Sequence, residues 1–560
     1  MCHKYKYPCL CLLLWAAGVL NAQEWQNPFD FPVLLSGNFG ELRNDHFHAG
    51  IDFKTQSVEG KPVHAVQEGY IARVVVSPWG YGNALYLNHP DGTTTVYGHL
   101  QKFTDRVTAY VKEQQYARET FAIDLTLAPE QFPLRKGQII ALAGNTGSSA
   151  GPHLHFEVRN TETGLLCDPM EYYKDQIKDS LPPKIEGFMV YPMEGKGIVN
   201  ANSRKMELKL LTAKNGKQTQ AAKVEAWGDI ALAVKAYDYM DRTSNIYGVR
   251  RMVMAIDTQV VFSSNIDCFS PNETRYINSF IDYEAWREKR AFYMKTFVEP
   301  GNKLSFIKSV NRGIISIDEE RTYRISFRLR DFFGNMTQHT LWIEGKQQAI
   351  LSPNTEGEYF HWKGDNRFGA KGVRLLIPGG SLYDDIYFRY AVQPKAAAWA
   401  DVHVLHDPDV PLHTAAQLSL HLQADTLADK QKYGIVRMQN KRAVWIGGTY
   451  RNGWIDADIR QFGNYTIMHD TRPPLITAIE PATWVSRQRI TFRITDALSG
   501  VKDYRGEIDG QFVLFEFDGK KNLVTYRFDK TRLERGKHEL TFTLTDYCGN
   551  RSEYKRSFVW

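Results

Sequence analysis

The sequence predicts a mostly β protein built from several domains, and three observations carry that reading. The chain has 560 residues, more than one hydrophobic core sustains; at about 100–200 residues per domain it divides into roughly three to five. It is rich in ring side chains and chain-bending residues, with 30 Phe, 29 Tyr and 12 Trp beside 42 Gly and 23 Pro, a balance that favours strands and turns. Alternating strand-like runs also close twice on an Asp-x-x-Gly-Asn turn, at 331–335 and at 546–550.

The first element is a processing signal. Lys4 and Lys6 precede an apolar stretch from Cys9 to Leu20, and Ala22 offers a small residue for cleavage before Gln23. The stretch has 12 residues where a membrane-spanning helix needs about 20, so residues 1–22 are expected to be removed and the protein exported, to the periplasm or beyond the cell. No membrane span is expected afterwards. Losing two lysines takes the net charge from +6 to +4, too weak and dispersed for a nucleic-acid partner. Cys167, Cys268 and Cys548 remain, an odd and widely spaced set that is not a disulfide framework and has no C-x-x-C to suggest a thiolate metal site, though it leaves room for one bridge.

The second element carries the chemistry. Seven of the 16 histidines lie between positions 46 and 155. Phe47-His48-Ala49-Gly50-Ile51-Asp52 sets a carboxylate four residues after an imidazole. Thr95-Val96-Tyr97-Gly98-His99 ends a β-branched run. Gly151-Pro152-His153-Leu154-His155-Phe156-Glu157-Val158 follows a glycine turn and has period two. In a strand, that alternation turns His153, His155 and Glu157 to one face and Leu154, Phe156 and Val158 to the other. Two His and one Asp with an open fourth position suit a catalytic Zn2+, and further histidines beside it suit proton transfer or charge stabilisation.

The ordered set His48-x-x-x-Asp52, His99 and His153-x-His155 resembles the lysostaphin/LytM-type zinc metallopeptidases. Three flanking stretches resemble the family too: Gly60-Lys61-Pro62-Val63-His64-Ala65-Val66, Gly80-Tyr81-Gly82-Asn83 and Lys136-Gly137-Gln138-Ile139-Ile140. The resemblance runs from about Phe39 to Pro169. It implies that His48, Asp52 and His155 bind zinc and that His99 and His153 are catalytic non-ligands. His153 is the implied general base and His99 the implied stabiliser of the transition state, two roles that sequence alone leaves interchangeable. It also implies a small antiparallel sheet with a long groove, and a peptide bridge of peptidoglycan as substrate. In Gram-negative relatives the bond is commonly D-Ala to meso-diaminopimelate.

Other polar residues have plainer readings. His46 lacks the following carboxylate and reads as an exposed position; His64 and His89 sit in turn contexts. Glu157 is either a partner of the histidines or a solvated charge, and it is left outside the predicted site. An insertion over about 102–133, helix-compatible from Val111 to Thr120, departs from the minimal family pattern and is expected to wall the groove, select substrate or decorate a loop.

The remaining elements are structural modules. Pro182-Pro183 marks a boundary, and the two segments closing on Asp331–Asn335 and Asp546–Asn550 read as Ig-like β-sandwiches whose Asp and Asn residues form turns more readily than calcium sites. The expected division is 23–175 for the peptidase, 180–346 for an Ig-like sandwich, 347–470 for a further sandwich and 475–560 for a last Ig-like one. The fold class is therefore mostly β: a LytM-like antiparallel β-sheet catalytic domain followed by several β-sandwich, Ig-like domains.

Function follows from the site. The reading is a secreted zinc metalloendopeptidase that hydrolyses peptidoglycan peptide stems, with possible protein partners at the Ig-like domains. The alternatives are a non-catalytic scaffold that activates a cell-wall amidase and a zinc peptidase acting on secreted proteins. Completeness of the five motif positions favours the enzyme.

Overall fold

The structure, a computed structural model, describes residues 25–560 apart from 215, 217, 395–398 and 441. The expected signal segment lies outside them. The chain is mostly β, with the sheet that carries the histidine motifs first and further β-sheets after it.

The first domain is built on β1 (Leu35–Gly37), β2 (Ile51–Lys54), β3 (Pro62–His64), β4 (Gly69–Val76), β5 (Asn83–Asn88), β6 (Thr93–Phe103), α1 (Asp105–Ala117), β7 (Ile123–Thr126), β8 (Pro133–Leu134), β9 (Ile139–Ala143), β10 (His153–Asn160) and β11 (Leu166–Cys167). The main ladder runs β1-β2-β10-β6-β5-β4-β7, with β10 antiparallel to both its neighbours. The alternation read in β10 is its actual pleat: Leu154, Phe156 and Val158 are buried in the apolar core, where Phe156 meets Phe53, Tyr97 and Tyr173. Each such buried aromatic contributes roughly 1.5–3 kcal/mol, enough to hold the opposite, polar face in place.

The insertion forms α1 and β7. The helix begins at Asp105, earlier than the stretch from Val111, because Val107, Val111 and Gln115 at i, i+4, i+8 all turn inward.

Residues 184–345 form one continuous eleven-stranded ladder. Phe188 meets Phe327 at 4.7 Å although their strands stand three places apart in it, so the sheet folds over and its inner faces share a core. That core is continuous with the first domain's. Phe47 packs on Phe269, Phe280 and Phe306, and β11 pairs with Cys268–Phe269, setting Cys167 opposite Cys268 as free thiols.

The segment that follows has two five-stranded sheets and a two-stranded one around its own core. The last module has two four-stranded sheets around a third core. It returns to the first domain. Lys112 on α1 pairs with Asp529 at 2.6 Å, Glu119 pairs with Arg505 at 2.6 Å, and Tyr116 lies between Phe512 and the Arg532 guanidinium.

Candidate active site

Five side chains predicted from sequence converge on the polar face of β2, β6 and β10. Register explains why: His155 stands directly opposite Asp52 on one side and Gly98 on the other. Two glycines permit the approach. A Cβ on Gly50 would fall 2.1 Å from the Phe156 carbonyl oxygen, and one on Gly98 would fall 3.3 Å from the His155 Cβ.

His48 Nε2, Asp52 Oδ1 and His155 Nδ1 form a nearly equilateral triangle, with sides of 3.0, 3.0 and 3.1 Å. A tetrahedral zinc with bonds of about 2.0–2.1 Å separates its ligand atoms by about 3.3 Å, so this triangle needs only a slight opening to hold the ion. The other atom of each group is already engaged. His48 Nδ1–H donates to the Asn38 carbonyl at 2.7 Å, His155 Nε2–H donates to Glu157 Oε1 at 2.9 Å, and Asp52 Oδ2 accepts from Arg43 Nη2 at 3.0 Å. Those bonds select the tautomers that turn all three free lone pairs inward. The donor set fits a zinc ion.

The supporting contacts reach further. Glu157 is fully buried and also accepts from the Tyr81 hydroxyl and from Arg159 Nε at 2.7 Å. Burial pushes its carboxyl up, but the His155 hydrogen bond and the Arg159 guanidinium hold it down, below the ordinary carboxylate range. Tyr81 stacks on the His155 ring at 5.0 Å. Asn38 is held from the second module: its amide donates to the Gly248 carbonyl at 2.9 Å and accepts the Gly248 N–H at 2.8 Å.

His99 and His153 lie beside the triangle, with ring centroids 4.7 Å apart. His99 sits in an irregularity of β6, at φ 59°, an uncommon left-handed backbone for a residue other than glycine. The irregular register re-aims its ring. Its Nδ1 bonds the Thr146 carbonyl at 2.9 Å, and burial followed by the charges of His153 and His155 lowers its basicity to about 3. His153 Nδ1 bonds the Gly151 carbonyl at 2.9 Å, and its Nε2 lies 3.5 Å from Asp52 Oδ1.

His46 is exposed and bonded to Asp45, away from the triangle. His64 and His89 make local hydrogen bonds, to Gly137 and Asp30 and to Glu68 and Thr95. Glu157 belongs to the site although the sequence reading left it out; its i+2 position after His155 was the available signal. The last module reaches the site's rim: Lys520 Nζ donates to the carbonyls of Asn145 and, at 3.1 Å, Ser149, on the loop that holds His99 through Thr146.

Residues 46–118, which include His48, Asp52 and His99, match peptidase family M23, and residues 357–470 match a Zu5-like domain. The DD-carboxypeptidase/endopeptidase Mpg of Neisseria meningitidis is 33% identical over 118 residues, 21% of each chain. The peptidoglycan DD-endopeptidase ShyB of Vibrio cholerae is 36% identical over 111 residues, 20% of each chain. The solved catalytic domain of lysostaphin from Staphylococcus simulans is 26% identical, covering 25% of this chain and 92% of that one with a TM-score of 0.20. The chain thus spans about a fifth of the length of the curated relatives it matches, 21% and 20%. Its first domain is a peptidase M23 domain, homologous to the lysostaphin/LytM-type endopeptidases.

Proposed function

We propose that this protein is an exported zinc metalloendopeptidase that cuts peptide cross-links of peptidoglycan, D-Ala to meso-diaminopimelate being the favoured bond. The observation that carries the reading is the triangle of three inward lone pairs on His48, Asp52 and His155, each oriented by a hydrogen bond behind it. The names of the relatives, which act on peptidoglycan, support the substrate class.

A bound zinc would polarise the scissile carbonyl and activate water. The chain's own residues do the rest. His153 presents Nε2 at the edge of the triangle, 3.5 Å from Asp52 Oδ1, within reach of a water in the open position, and serves as general base. His99 is kept neutral by its burial and presents Nε2 because Nδ1–H is spent on Thr146. That lone pair accepts a hydrogen bond from the attacking water, and so stabilises the transition state as the water's other proton passes to His153. Lys520, from the last module, bonds the loop beside His99, and α1 is pinned to the same module. Among the described residues no helix is long and apolar enough to cross a membrane.

The test is to incubate zinc-loaded protein with purified sacculi, with and without chelator, beside His155→Ala, and to read the products by mass spectrometry. Release of stems cut at the cross-link, abolished by chelator and by the substitution, is expected. Stoichiometric zinc without cleavage would refute the assignment.

A further inference from the structure

Away from the histidines, a cluster of carboxylates occurs twice. Asp179, Asp238 and Asp331 bring one oxygen each within 4.8 Å of one another, and so do Asp470, Asp496 and Asp546. The two clusters are copies. Asp179 stands three residues before Pro182-Pro183, and Asp470 stands three before Pro473-Pro474. Asn335 Nδ2 donates to Asp331 Oδ2 at 2.7 Å and to the Asp179 carbonyl at 3.1 Å; Asn550 Nδ2 donates to Asp546 Oδ2 at 2.7 Å and to the Asp470 carbonyl at 3.0 Å. The hydroxyls of Thr337 and Ser552 close on the carbonyls of Pro183 and Pro474. Each cluster therefore joins the linker entering a module to two strand ends within it.

Turn formation accounts for part of this. Asp331 and Asp546 accept the N–H of Asn335 and Asn550 at 2.9 and 2.8 Å. It does not account for Asp238, which is 1% exposed and has no hydrogen-bond partner for Oδ1. Asp179 Oδ2 and, in the second copy, Asp496 Oδ2 also lack a partner, although these two residues are half-buried and the other oxygen of each accepts main-chain N–H groups. Among the described residues no Lys, Arg or His forms an ion pair with any of the six; Lys205, for comparison, pairs with Asp282 of the same module and Arg250 with Asp168 of the first domain. A buried carboxylate without hydrogen bond or counter-charge is strongly disfavoured, and three together repel one another. Burial and the Asp331 charge accordingly push the Asp238 carboxyl up to about 8, and burial lifts Asp331 to about 6.

We propose that each cluster binds one calcium ion, held by three aspartates with water and main-chain carbonyls completing the shell, and that the ion fastens the linker to its module. An all-oxygen, carboxylate-rich set is the chemistry of a hard divalent cation, and irregular loops suit calcium's six to eight flexible ligands better than magnesium's strict octahedron. The first ion would fix the peptidase domain against the module that holds Asn38. The second would fix the base of the module that carries Lys520 and touches α1.

The test uses the full, zinc-loaded chain stripped of calcium. Isothermal titration is expected to show two calcium ions per chain, with dissociation constants of about 10⁻⁴–10⁻³ M or tighter and magnesium roughly tenfold weaker or more. Calcium is expected to raise the melting temperature. Asp238→Asn is expected to lose one bound equivalent and Asp496→Asn the other, with zinc content unchanged. In calcium-free buffer both variants are expected to melt at or above the parent, because Asn keeps the shape and cannot carry the charge that the empty cluster disfavours; this separates loss of the site from misfolding. No calcium uptake at about 10 mM, or undiminished uptake by the double variant, would overturn the assignment.

Discussion

Replacing Glu157 by Gln is the sharpest perturbation of the metal centre. The swap preserves shape but converts one acceptor oxygen into a donor. Oε1 receives His155 Nε2–H at 2.9 Å and the Tyr81 hydroxyl; Oε2 receives Arg159 Nε at 2.7 Å and Nη2 at 2.5 Å. An amide can therefore satisfy His155 or Arg159 but not both. If its oxygen stays with His155, the NH2 faces the guanidinium, and the uncompensated Arg159 costs about 3 kcal/mol, the low end for a buried pair because its side chain keeps 23% exposure. His155 meanwhile loses the charge that makes it a strong ligand, and zinc affinity is expected to fall about 10–100-fold, about 1.4–2.7 kcal/mol. Competition against a chromophoric chelator measures the affinity and a thermal melt measures the fold. Adding Arg159→Met should restore the melting temperature and leave zinc binding weak. Zinc affinity within about twofold of the parent in both variants would refute the argument that Glu157 orients and charges the ligand.

Other perturbations separate the remaining roles. His99→Ala is expected to keep its zinc and lose about 10²–10³-fold in muropeptide release, which metal analysis beside product analysis will show. Asp529→Lys, reversing the partner of Lys112, is expected to speed amide exchange across α1 roughly fivefold without changing zinc content, since a half-exposed pair is worth about 1 kcal/mol. The Asp529 carboxyl is pushed up by burial, but its bonds to Lys112 and Thr531 hold it down at about 2. Its contribution to docking is therefore complete above its ordinary value of 3.8 and is lost as pH falls toward 2, a loss that exchange at graded pH will detect. His406 lies against Phe388 and Phe462, and burial, then Arg389, lowers it from 6.5 to about 4. The unfolded chain takes up a proton between those values that the folded chain refuses, so stability of this module should fall as pH drops through that window. His406→Asn, compatible with φ 48°, should flatten the slope in a pH series of melts.

The sequence carried the part of the site that is local. The period-two pattern from His153 to Val158 needed only a pleat to become two faces, and Asp52 and Gly98 reach His155 through ladder register. What it did not carry depends on distant pairings. Glu157 looked like either a partner or a surface charge, and the choice is made by Tyr81 and Arg159 closing over it. The left-handed turn at His99 arises from a ladder irregularity that no residue type announces. Glu119 meets Arg505 and Lys112 meets Asp529 across nearly four hundred residues or more, which no local pattern encodes. The helix of the insertion was readable as helix, but its start depended on Val107 finding the core.

The clamp on Asn38 bears on how such a chain is inherited. The carbonyl behind His48 belongs to a residue whose amide is gripped by Gly248, 210 positions further on. A gene fragment ending near codon 175 would pass on His48, Asp52 and His155 and omit the grip. It would also uncover Phe39 and Phe47, whose packing partner Phe269 lies beyond that end. Recombination can hand on this supported triangle intact only by taking both modules together, and a lesion at Gly248 would be felt first at Asn38 and His48.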